Sequence, residues 1–306
     1  MTPDDDPHPP RRITPLAPAR FARGQAGFPF DDARVIALVQ DALDEDAAAR
    51  DVTTIATVLK GQRARAQLVV REPGVIAGVP LALAAFRLCD SDVSIRVDAE
   101  DGARLDRGAT VLFISGHARG MLSAERTALN YLQRLSGVAS LTRKFVDAIT
   151  GTNAVIVDTR KTTPGWRALE KYAVRCGGGT NHRFDLAEAV LIKDNHLAAV
   201  GGDIAEAVRR VRDHAPEGTP IQVECDTREQ VAAAADVGAD SVLLDNMSPT
   251  MLRECVAIAR GRCITEASGG VSLATVADIA VTGVDRISVG ALTHSAPALN
   301  LALDFE

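Results

Sequence analysis

Aromatic side chains are scarce in this 306-residue chain, at 4% of its residues. Because single-stranded nucleic acid is usually bound by stacking its bases on aromatic rings, this shortage argues weakly against that role. The net charge of -6 also disfavours a general nucleic-acid or anionic-membrane surface. A local cluster of basic side chains could still bind a small anionic substrate.

The chain also lacks the features of membrane, disulfide-bonded and zinc proteins. It has no run of about 18 apolar residues that would span a bilayer. Its five cysteines are an odd number and show no CxxC spacing, which suggests neither a disulfide framework nor a zinc site. The first residues, MTPDDDPHPPRR, are acidic and proline-rich, unlike a secretory signal. We therefore expect a reduced, cytoplasmic setting.

Between residues 28 and 145 the sequence alternates short strands with helices. A helical pattern begins near Asp32, and alternating segments such as ARAQLVVRE (64–72) and TVLFISG (110–116) predict strands. A helix is predicted near residues 80–89. Residues 123–145 predict a long helix with Ser123 as its N-cap.

Short apolar strands recur after residue 150, and each ends near a polar or charged residue. They are AVIVD (154–158), AVLIK (189–193), IQVE (221–224), SVLLD (241–245), ITEA (264–267) and RISVG (286–290). Helical patterns lie between them, which predicts a parallel sheet buried on both faces. About six such units suit a closed or nearly closed α/β barrel, whose chemistry lies at the carboxyl ends of its strands. A doubly wound open sheet is the alternative, but no GxGxxG follows a strand.

Basic side chains are dense between residues 158 and 196. Arg160 and Lys161 follow one predicted strand, His182 and Arg183 precede the next, and Lys193 ends that strand. Because strand ends converge at one mouth of a barrel, these groups could face a common pocket. Guanidinium groups suit carboxylates and phosphates, and a lysine at a strand end is costly to bury without a partner. The set favours an anion pocket over solvated loop charges.

Two carboxylates and two glycine-rich turns complete this pattern. Glu224 and Asp245 end neighbouring strands and could hold Mg²⁺, stabilise positive charge on a sugar, or pair with pocket lysines. The turns EASGGVS (266–272) and SVGALTHS (288–295) follow the last two strands. Their backbone N–H groups could bind a phosphate, which is a recurrent feature of the last barrel loops. An ordinary turn role is the alternative.

Seven segments are long and specific enough to compare with known families. They are AERTALNYLQRLSGVAS (124–140), DTRKTTPGWRALEKYAVRCGGGTNHR (158–183), LIKDNH (191–196), VECDT (223–227), LLDNM (243–247), EASGG (266–270) and GVDRISVGALTHS (283–295). They resemble the quinolinate phosphoribosyltransferases, and the likeness runs from about residue 35 to the C-terminus. The resemblance implies an α/β fold with an N-terminal α/β sandwich domain and a C-terminal open, TIM-like α/β barrel. We predict a disordered tail at 1–27, the sandwich at 28–140 with 293–306 packing back on it, and the catalytic barrel at 141–292.

The resemblance also implies roles for individual residues. Arg160, Arg183 and Lys193 would hold the quinolinate carboxylates, with Lys161 and His182 beside them. The substrate-binding set it implies is Arg126, Thr159, Arg160, Lys161, His182, Arg183, Lys193, Glu224, Asp245, Ser268, Gly269, Gly270, Ser288, Val289 and Gly290. The residues from Ser268 onward would grip the 5-phosphate, and Lys161, Glu224 and Asp245 would be catalytic. Arg126 would reach in from the other subunit of a homodimer with shared active sites, alone or within a hexamer.

The implied reaction is the transfer of a phosphoribosyl group from phosphoribosyl pyrophosphate to quinolinate with loss of carbon dioxide. Its products are nicotinate mononucleotide and pyrophosphate, in de novo NAD biosynthesis. The expected cofactor is Mg²⁺, held with phosphoribosyl pyrophosphate by Glu224 and Asp245, directly or indirectly. No organic cofactor is expected, because the pyridinium product is itself the electron sink.

Three other functions stay open at this point. A related type II phosphoribosyltransferase would act on another base, such as nicotinate. A Schiff-base aldolase would use Lys193 as its nucleophile. A binding module without catalysis would not need Glu224 and Asp245.

One segment departs from the family's pattern. The segment DEDAAARDVTT (44–54) carries Ala47–Ala49 where the family usually has glycine before DxTT. This departure puts the local turn in question, but not the chemistry of the barrel.

Overall fold

The computed structural model describes residues 27–306, so the tail predicted at 1–27 lies outside the described residues except for Gly27. The chain divides into two compact units. Within the described residues, the sandwich unit contains residues 27–146, together with Lys161–Asn181 and Gly290–Glu306. The barrel unit contains Asp147–Arg160 and His182–Val289. Within residues 27–306, every helix is too short or too polar to cross a bilayer.

The sandwich unit is built on an antiparallel sheet of four strands. In spatial order these are β12 (Leu301–Phe305), β1 (Arg63–Val70), β5 (Thr110–His117) and β3 (Ser94–Val97). A smaller sheet pairs β2 (Gly74–Val75) with β4 (Arg104–Leu105). The helices are α1 (Asp32–Glu45), α2 (Val52–Thr57), α3 (Val79–Cys89), α4 (Ala118–Ala148, its last two residues in the barrel unit), α5 (Arg167–Cys176) and α11 (Ala291–His294). Because β12 pairs along β1, the C-terminal segment completes the main sheet.

The long helix α4 begins at Ala118, so the prediction that Ser123 is its N-cap is wrong. The helix follows directly on β5, and the backbone N–H of Ala118 donates to the carbonyl of Gln62 at 2.8 Å. Ser123 lies inside the helix, where its hydroxyl donates to Asp51 at 3.2 Å. A backbone contact from a distant segment therefore replaces the side-chain cap that the local sequence predicted.

The turn that contains Ala47–Ala49 has one residue in the left-handed backbone conformation. Ala47 has φ 53° and ψ 35°, immediately before a 3₁₀ turn at Ala48–Arg50. An L-residue with a side chain pays about 1–2 kcal/mol for this conformation, and glycine pays almost nothing. Asp51 then caps α2 by accepting a hydrogen bond from the N–H of Thr54, which lowers the pKa of the Asp51 carboxyl. The departure from the family's pattern thus falls where glycine would fit best.

The barrel unit contains a six-stranded parallel sheet. Its strands are β6 (Val155–Val157), β7 (Val190–Ile192), β8 (Ile221–Cys225), β9 (Ser241–Asp245), β10 (Ile264–Ser268) and β11 (Arg286–Ser288). Their spatial order is β6-β11-β10-β9-β8-β7, and every pair is parallel. The connecting helices are α6 (Asp194–Ala199), α7 (Ile204–His214), α8 (Arg228–Asp236), α9 (Pro249–Ala259) and α10 (Val276–Ala280). Asp203, Thr227 and Ser248 cap three of these helices by accepting a hydrogen bond from a backbone N–H.

Strand curvature shows which side chains point into the barrel. Gln222 on β8 donates to Glu266 on β10 at 3.0 Å, although β9 lies between these strands. Such a contact requires a sheet curved so that both side chains point to its concave side. Because alternate residues of a strand share a face, Glu224 and Ser268 point to the same side. The predicted open α/β barrel is confirmed, with polar groups in its interior.

Candidate active site

Strand register brings several of the predicted site residues to one edge of the barrel unit. Ser268 at the end of β10 lies opposite Asp245 at the end of β9. Lys193 follows β7 and Glu224 lies near the end of β8, and the residues just before them are paired across the two strands. Ser288 ends β11 at the same edge. The carboxyl ends of all these strands meet, as the polar strand ends predicted.

Arg160 and Arg183 form a close pair of cations in this unit. Arg183 is buried, and one of its guanidinium nitrogens donates to the carbonyl of Ala189 at 2.7 Å. Burial lowers the pKa of Arg183, and repulsion by the charge of Arg160 lowers it further. The Nε of Arg160 is buried and has no hydrogen-bond partner among the described residues. Two adjacent guanidinium groups with an unused donor are suited to bind an anion with several oxygens.

Lys193, which follows β7, pairs with Glu224 on β8. The Nζ of Lys193 is 3.9 Å from a carboxylate oxygen of Glu224, and half of the lysine side chain is exposed, at 51%. Burial raises the pKa of Glu224, Lys193 opposes that rise, and the negative charge of Asp245 adds to it. The two carboxylates are thus close enough to repel each other, as oxygen ligands of a cation would be.

The turn after β10 is fixed by Asn246, which sequence reasoning did not single out. The backbone of Asn246 has a left-handed conformation, with φ 52°, and its N–H donates to the carbonyl of Ser268 at 2.9 Å. Its side chain donates to Asp245 at 2.8 Å. A Cβ on Gly269 would lie 2.2 Å from the side chain of Asn246, so only glycine fits there. Gly270 follows with φ 59°, which leaves the turn free of side chains that would block an anion.

Two of the predicted phosphate-binding residues, Ser288 and Val289, have hydrogen-bond partners within the barrel unit. The N–H of Val289 donates to the carbonyl of Val157 at 3.0 Å, so it continues the sheet. Ser288 is buried and its hydroxyl donates to Glu266. Thr159, which follows β6, is half-buried.

The remaining predicted site residues belong to the sandwich unit. The carbonyl of Lys161 accepts a hydrogen bond from Thr293 at 2.7 Å, and a Cβ on Gly290 would lie 3.2 Å from the Lys161 side chain. Lys161 and Gly290 are therefore neighbours in that unit. Arg126 is exposed on α4.

A buried ion pair supports Lys161, and sequence reasoning missed it as well. Glu170 is fully buried on α5 and accepts hydrogen bonds from both the N–H and the hydroxyl of Thr163, at 3.0 and 2.8 Å. Arg134 donates to Glu170 at 2.8 Å and also to the carbonyl of Thr293. Because Thr293 donates to the carbonyl of Lys161, the ion pair of Arg134 with Glu170 fixes the segment that contains Lys161. Glu170 and Arg134 are far apart in the sequence, so only the fold shows their link.

Glu266 is a fully buried carboxylate of the barrel unit. It accepts hydrogen bonds from Ser288, from Gln222 at 3.0 Å and from the Nε2 of His182 at 3.2 Å. Burial alone would raise the pKa of Glu266, but His182, Ser288 and Gln222 together lower it. The carboxylate is thus held ionised inside the barrel.

Within the described residues, the geometry of a three-ligand metal site is met by Asp90, Asp92 and His117 in the sandwich unit. Asp90 accepts from the backbone N–H groups of His117 and Asp92, at 2.7 and 3.1 Å. These bonds give the cluster a structural role, since they hold the end of α3 against β5. Glu224 and Asp245 are not part of that cluster.

An open α/β barrel whose strand ends carry paired cations, paired carboxylates and a glycine turn defines an anion-binding barrel enzyme. The quinolinate phosphoribosyl transferase N-terminal domain family matches residues 51–136, and the C-terminal domain family matches residues 138–304. The chain belongs to the quinolinate phosphoribosyltransferase family.

Individual relatives cover most of the chain. It is 47% identical to the nicotinate-nucleotide pyrophosphorylase (carboxylating) of Mycobacterium leprae, over 90% of this chain and 98% of the relative. It is 41% identical to the probable nicotinate-nucleotide pyrophosphorylase (carboxylating) of Bacillus subtilis, over 85% of this chain and 89% of that one. The structure of the nicotinate-nucleotide pyrophosphorylase from Francisella tularensis superposes with a TM-score of 0.85 at 35% identity, covering 92% of this chain and 100% of the other. The predicted family and fold class are confirmed.

Proposed function

We propose that this chain transfers the phosphoribosyl group of phosphoribosyl pyrophosphate to quinolinate, with loss of carbon dioxide. The products are nicotinate mononucleotide and pyrophosphate, so this pentosyl transfer is a step of de novo NAD biosynthesis. One observation in the site carries the proposal: the adjacent guanidinium groups of Arg160 and Arg183, with the buried Nε of Arg160 left without a partner. Family membership supplies the reaction to which this anion pocket belongs.

Quinolinate suits this pocket because it carries two carboxylates on neighbouring ring atoms. Arg160 and Arg183 bind one planar carboxylate through parallel N–H bonds, and Lys193 binds the other as a point charge. Lys161, next to Arg160 in the chain, adds a further cation. Because the substrate brings two negative charges, its binding relieves the repulsion between Arg160 and Arg183.

The carboxylates of Glu224 and Asp245 face the ribose in this proposal. Positive charge develops at ribose C1 as pyrophosphate departs, and two fixed carboxylates stabilise that charge electrostatically. Their oxygen atoms fit Mg²⁺, which proteins usually bind through one or two carboxylates and substrate phosphates. When bound, Mg²⁺ would neutralise charge on the departing pyrophosphate. The turn at Ser268–Gly270 binds the 5-phosphate.

The chemistry requires no further reactant. The ring nitrogen of quinolinate attacks ribose C1, and the bond from C1 to the pyrophosphate oxygen breaks with its electrons on pyrophosphate. The nitrogen then carries positive charge and stabilises the electron pair that stays on C2 when the C2 carboxylate leaves as carbon dioxide. A proton from solvent replaces that carboxylate on C2. Positioning the two substrates can supply roughly 7–11 kcal/mol of the rate enhancement.

A steady-state assay with Mg²⁺, phosphoribosyl pyrophosphate and either quinolinate or nicotinate tests the substrate. We expect turnover and release of carbon dioxide with quinolinate, since a base with one carboxylate leaves a cation of the pocket unmatched. Turnover of nicotinate alone would contradict the proposal. The aldolase alternative is not favoured, because the family to which the chain belongs consists of phosphoribosyltransferases.

The enzyme is also proposed to work as a homodimer whose subunits share their active sites. Arg126 is exposed on α4, and α2 with the residues after it exposes Val52 and Leu59, at 78% and 76%. Apolar exposure of this kind is typical of surfaces that a partner covers. Each active site would then combine the barrel of one subunit with Arg126 of the other.

Mixed dimers test this assembly directly. We expect Arg126→Ala and Lys193→Ala each to be nearly inactive alone. Random mixing makes about half of the dimers mixed, each with one intact site of two, so about a quarter of the wild-type activity should return. No recovery after exchange of subunits would exclude a shared site, and recovery should fail when either variant is mixed with itself.

A further inference from the structure

We propose that Glu266 and His182 act as a positioning pair: Glu266 accepts from the Nε2–H of His182, and the Nδ1 of the same ring accepts from the N–H of Arg183, which requires a neutral imidazole and fixes the backbone of Arg183. This proposal rests on the proposed function, because it concerns how the quinolinate pocket is held. It differs from the role that family resemblance implies, in which His182 stands among the groups that meet the substrate.

Both ring nitrogens of His182 are engaged in the barrel unit. The N–H of Arg183 donates to Nδ1 at 2.7 Å, so Nδ1 must carry a lone pair. The Nε2 lies 3.2 Å from a carboxylate oxygen of Glu266, so Nε2 must carry the proton. These two contacts together define the neutral Nε2–H tautomer, because an imidazolium would set an N–H against the N–H of Arg183.

The main chain of His182 is held from a third side. Its N–H donates to the carboxylate of Asp158, at the end of β6, at 2.9 Å. Asp158 and Glu266 are both buried, so the histidine is fixed between two strands of the barrel. The ring therefore has a defined orientation, and its Nδ1 fixes the backbone N–H of the next residue, Arg183.

Glu266 has the partners that this role requires. It is fully buried, and Ser288 and Gln222 donate to it in addition to His182. Three donors on one carboxylate keep it ionised, and its negative charge also opposes the loss of charge on Arg183. Glu266 contacts the ring, Asp158 holds the main chain of His182, and the charges of Arg160, Asp185 and Glu266 act on the neighbouring Arg183.

A neutral His182 adds no positive charge to the pocket. The positive charge facing the substrate would come from guanidinium and ammonium groups such as those of Arg160, Arg183 and Lys193, and not from the imidazole. The histidine acts through Arg183, and it is a positioning residue. Its contribution is geometric: it holds the Arg183 backbone from which the guanidinium reaches both Ala189 and the pocket.

Nitrogen-15 NMR of the unliganded wild-type enzyme, labelled at histidine, reads the tautomer directly. The chain has six histidines, and the signal lost in His182→Gln assigns the one in question. We expect a protonated Nε2 and an unprotonated Nδ1 at neutral pH. Two protonated nitrogens, or a proton on Nδ1, would overturn the proposal. Because this measurement needs no turnover, it stands apart from any failure of the proposed reaction.

Two neutral substitutions at His182 provide the kinetic test. Asparagine can place an oxygen near the position of Nδ1 and accept from Arg183, whereas glutamine reaches the position of Nε2 and loses that contact. A hydrogen bond of this kind is worth about 1 kcal/mol, so the KM for quinolinate should be about fivefold higher in His182→Gln than in His182→Asn. The KM for phosphoribosyl pyrophosphate should be similar in the two. Equal losses in both variants for quinolinate would show that an acceptor for the N–H of Arg183 does not matter for the pocket and would overturn the proposal.

Discussion

The neighbouring guanidinium groups of Arg160 and Arg183 have opposite effects on folding and on binding, and Arg160→Met separates these effects. Methionine keeps an unbranched stem and removes the charge and the donors. In the wild type, the buried Nε of Arg160 lacks a partner among the described residues, and its charge lowers the pKa of Arg183. A buried unsatisfied donor costs about 1–3 kcal/mol. The unliganded variant should therefore be at least as stable as the wild type.

Quinolinate binding should change in the opposite direction. A hydrogen bond between charged groups contributes about 1.5–3 kcal/mol, and about 1.4 kcal/mol corresponds to a factor of ten in affinity. The loss of one such contact predicts a Kd for quinolinate that is roughly 10- to 150-fold higher. Isothermal titration calorimetry measures the Kd, and urea unfolding of the unliganded protein measures the stability.

The control is Arg253→Met, which removes an exposed arginine from α9 in the same unit. It should leave both the Kd for quinolinate and the unfolding midpoint unchanged. If Arg160→Met binds quinolinate like the wild type and is also less stable, Arg160 is a structural residue and the assignment of the pocket is refuted.

Three further predictions concern residues whose surroundings are equally well defined. Burial raises the pKa of Glu224, and the negative charge of Asp245 raises it further. Asp245→Asn removes that charge, so the acid limb of the pH profile of kcat/KM should move to lower pH. An unshifted limb would mean that another group controls it. Ala47→Gly removes the strain of an alanine in left-handed backbone conformation and should raise the free energy of unfolding by up to about 1 kcal/mol in urea titrations. A lower free energy of unfolding would show that the turn is not strained. Gly137→Ala would place a Cβ 2.0 Å from the carbonyl of Pro297, so urea unfolding should show a loss of about 1–3 kcal/mol, and wild-type stability would contradict this close approach.

The barrel could be predicted from the sequence because the pattern that specifies it, a short apolar strand ending near a polar residue, is local and repeats along the chain. Each strand is a short apolar run, and the residue types that follow it are polar or charged. Parallel strands necessarily end at the same edge, so Lys193, Glu224 and Asp245 could be placed together without knowing their distances. The register of β7 to β10 places them as this reasoning required.

The supporting contacts could not be predicted, because each joins residues that are distant in sequence. Glu266 is recognisable as a positioning residue only once Gln222 and His182 are seen to donate to it. The start of α4 is decided by the carbonyl of Gln62, which no capping rule includes. Asn246 had one available signal, since asparagine tolerates left-handed backbone and stands directly after a strand.

The pairing of β12 with β1 has a consequence for synthesis of the protein. Leu68 lies opposite Leu303, 235 positions later in the chain (303 minus 68). During synthesis, the outer edge of β1 stays unpaired until β12 has been made, because β12 is its neighbour on that side. An unpaired strand edge is a place where nascent chains associate wrongly. Chaperone dependence during translation should therefore be greatest before the last strand emerges, and it should end abruptly once that strand is released.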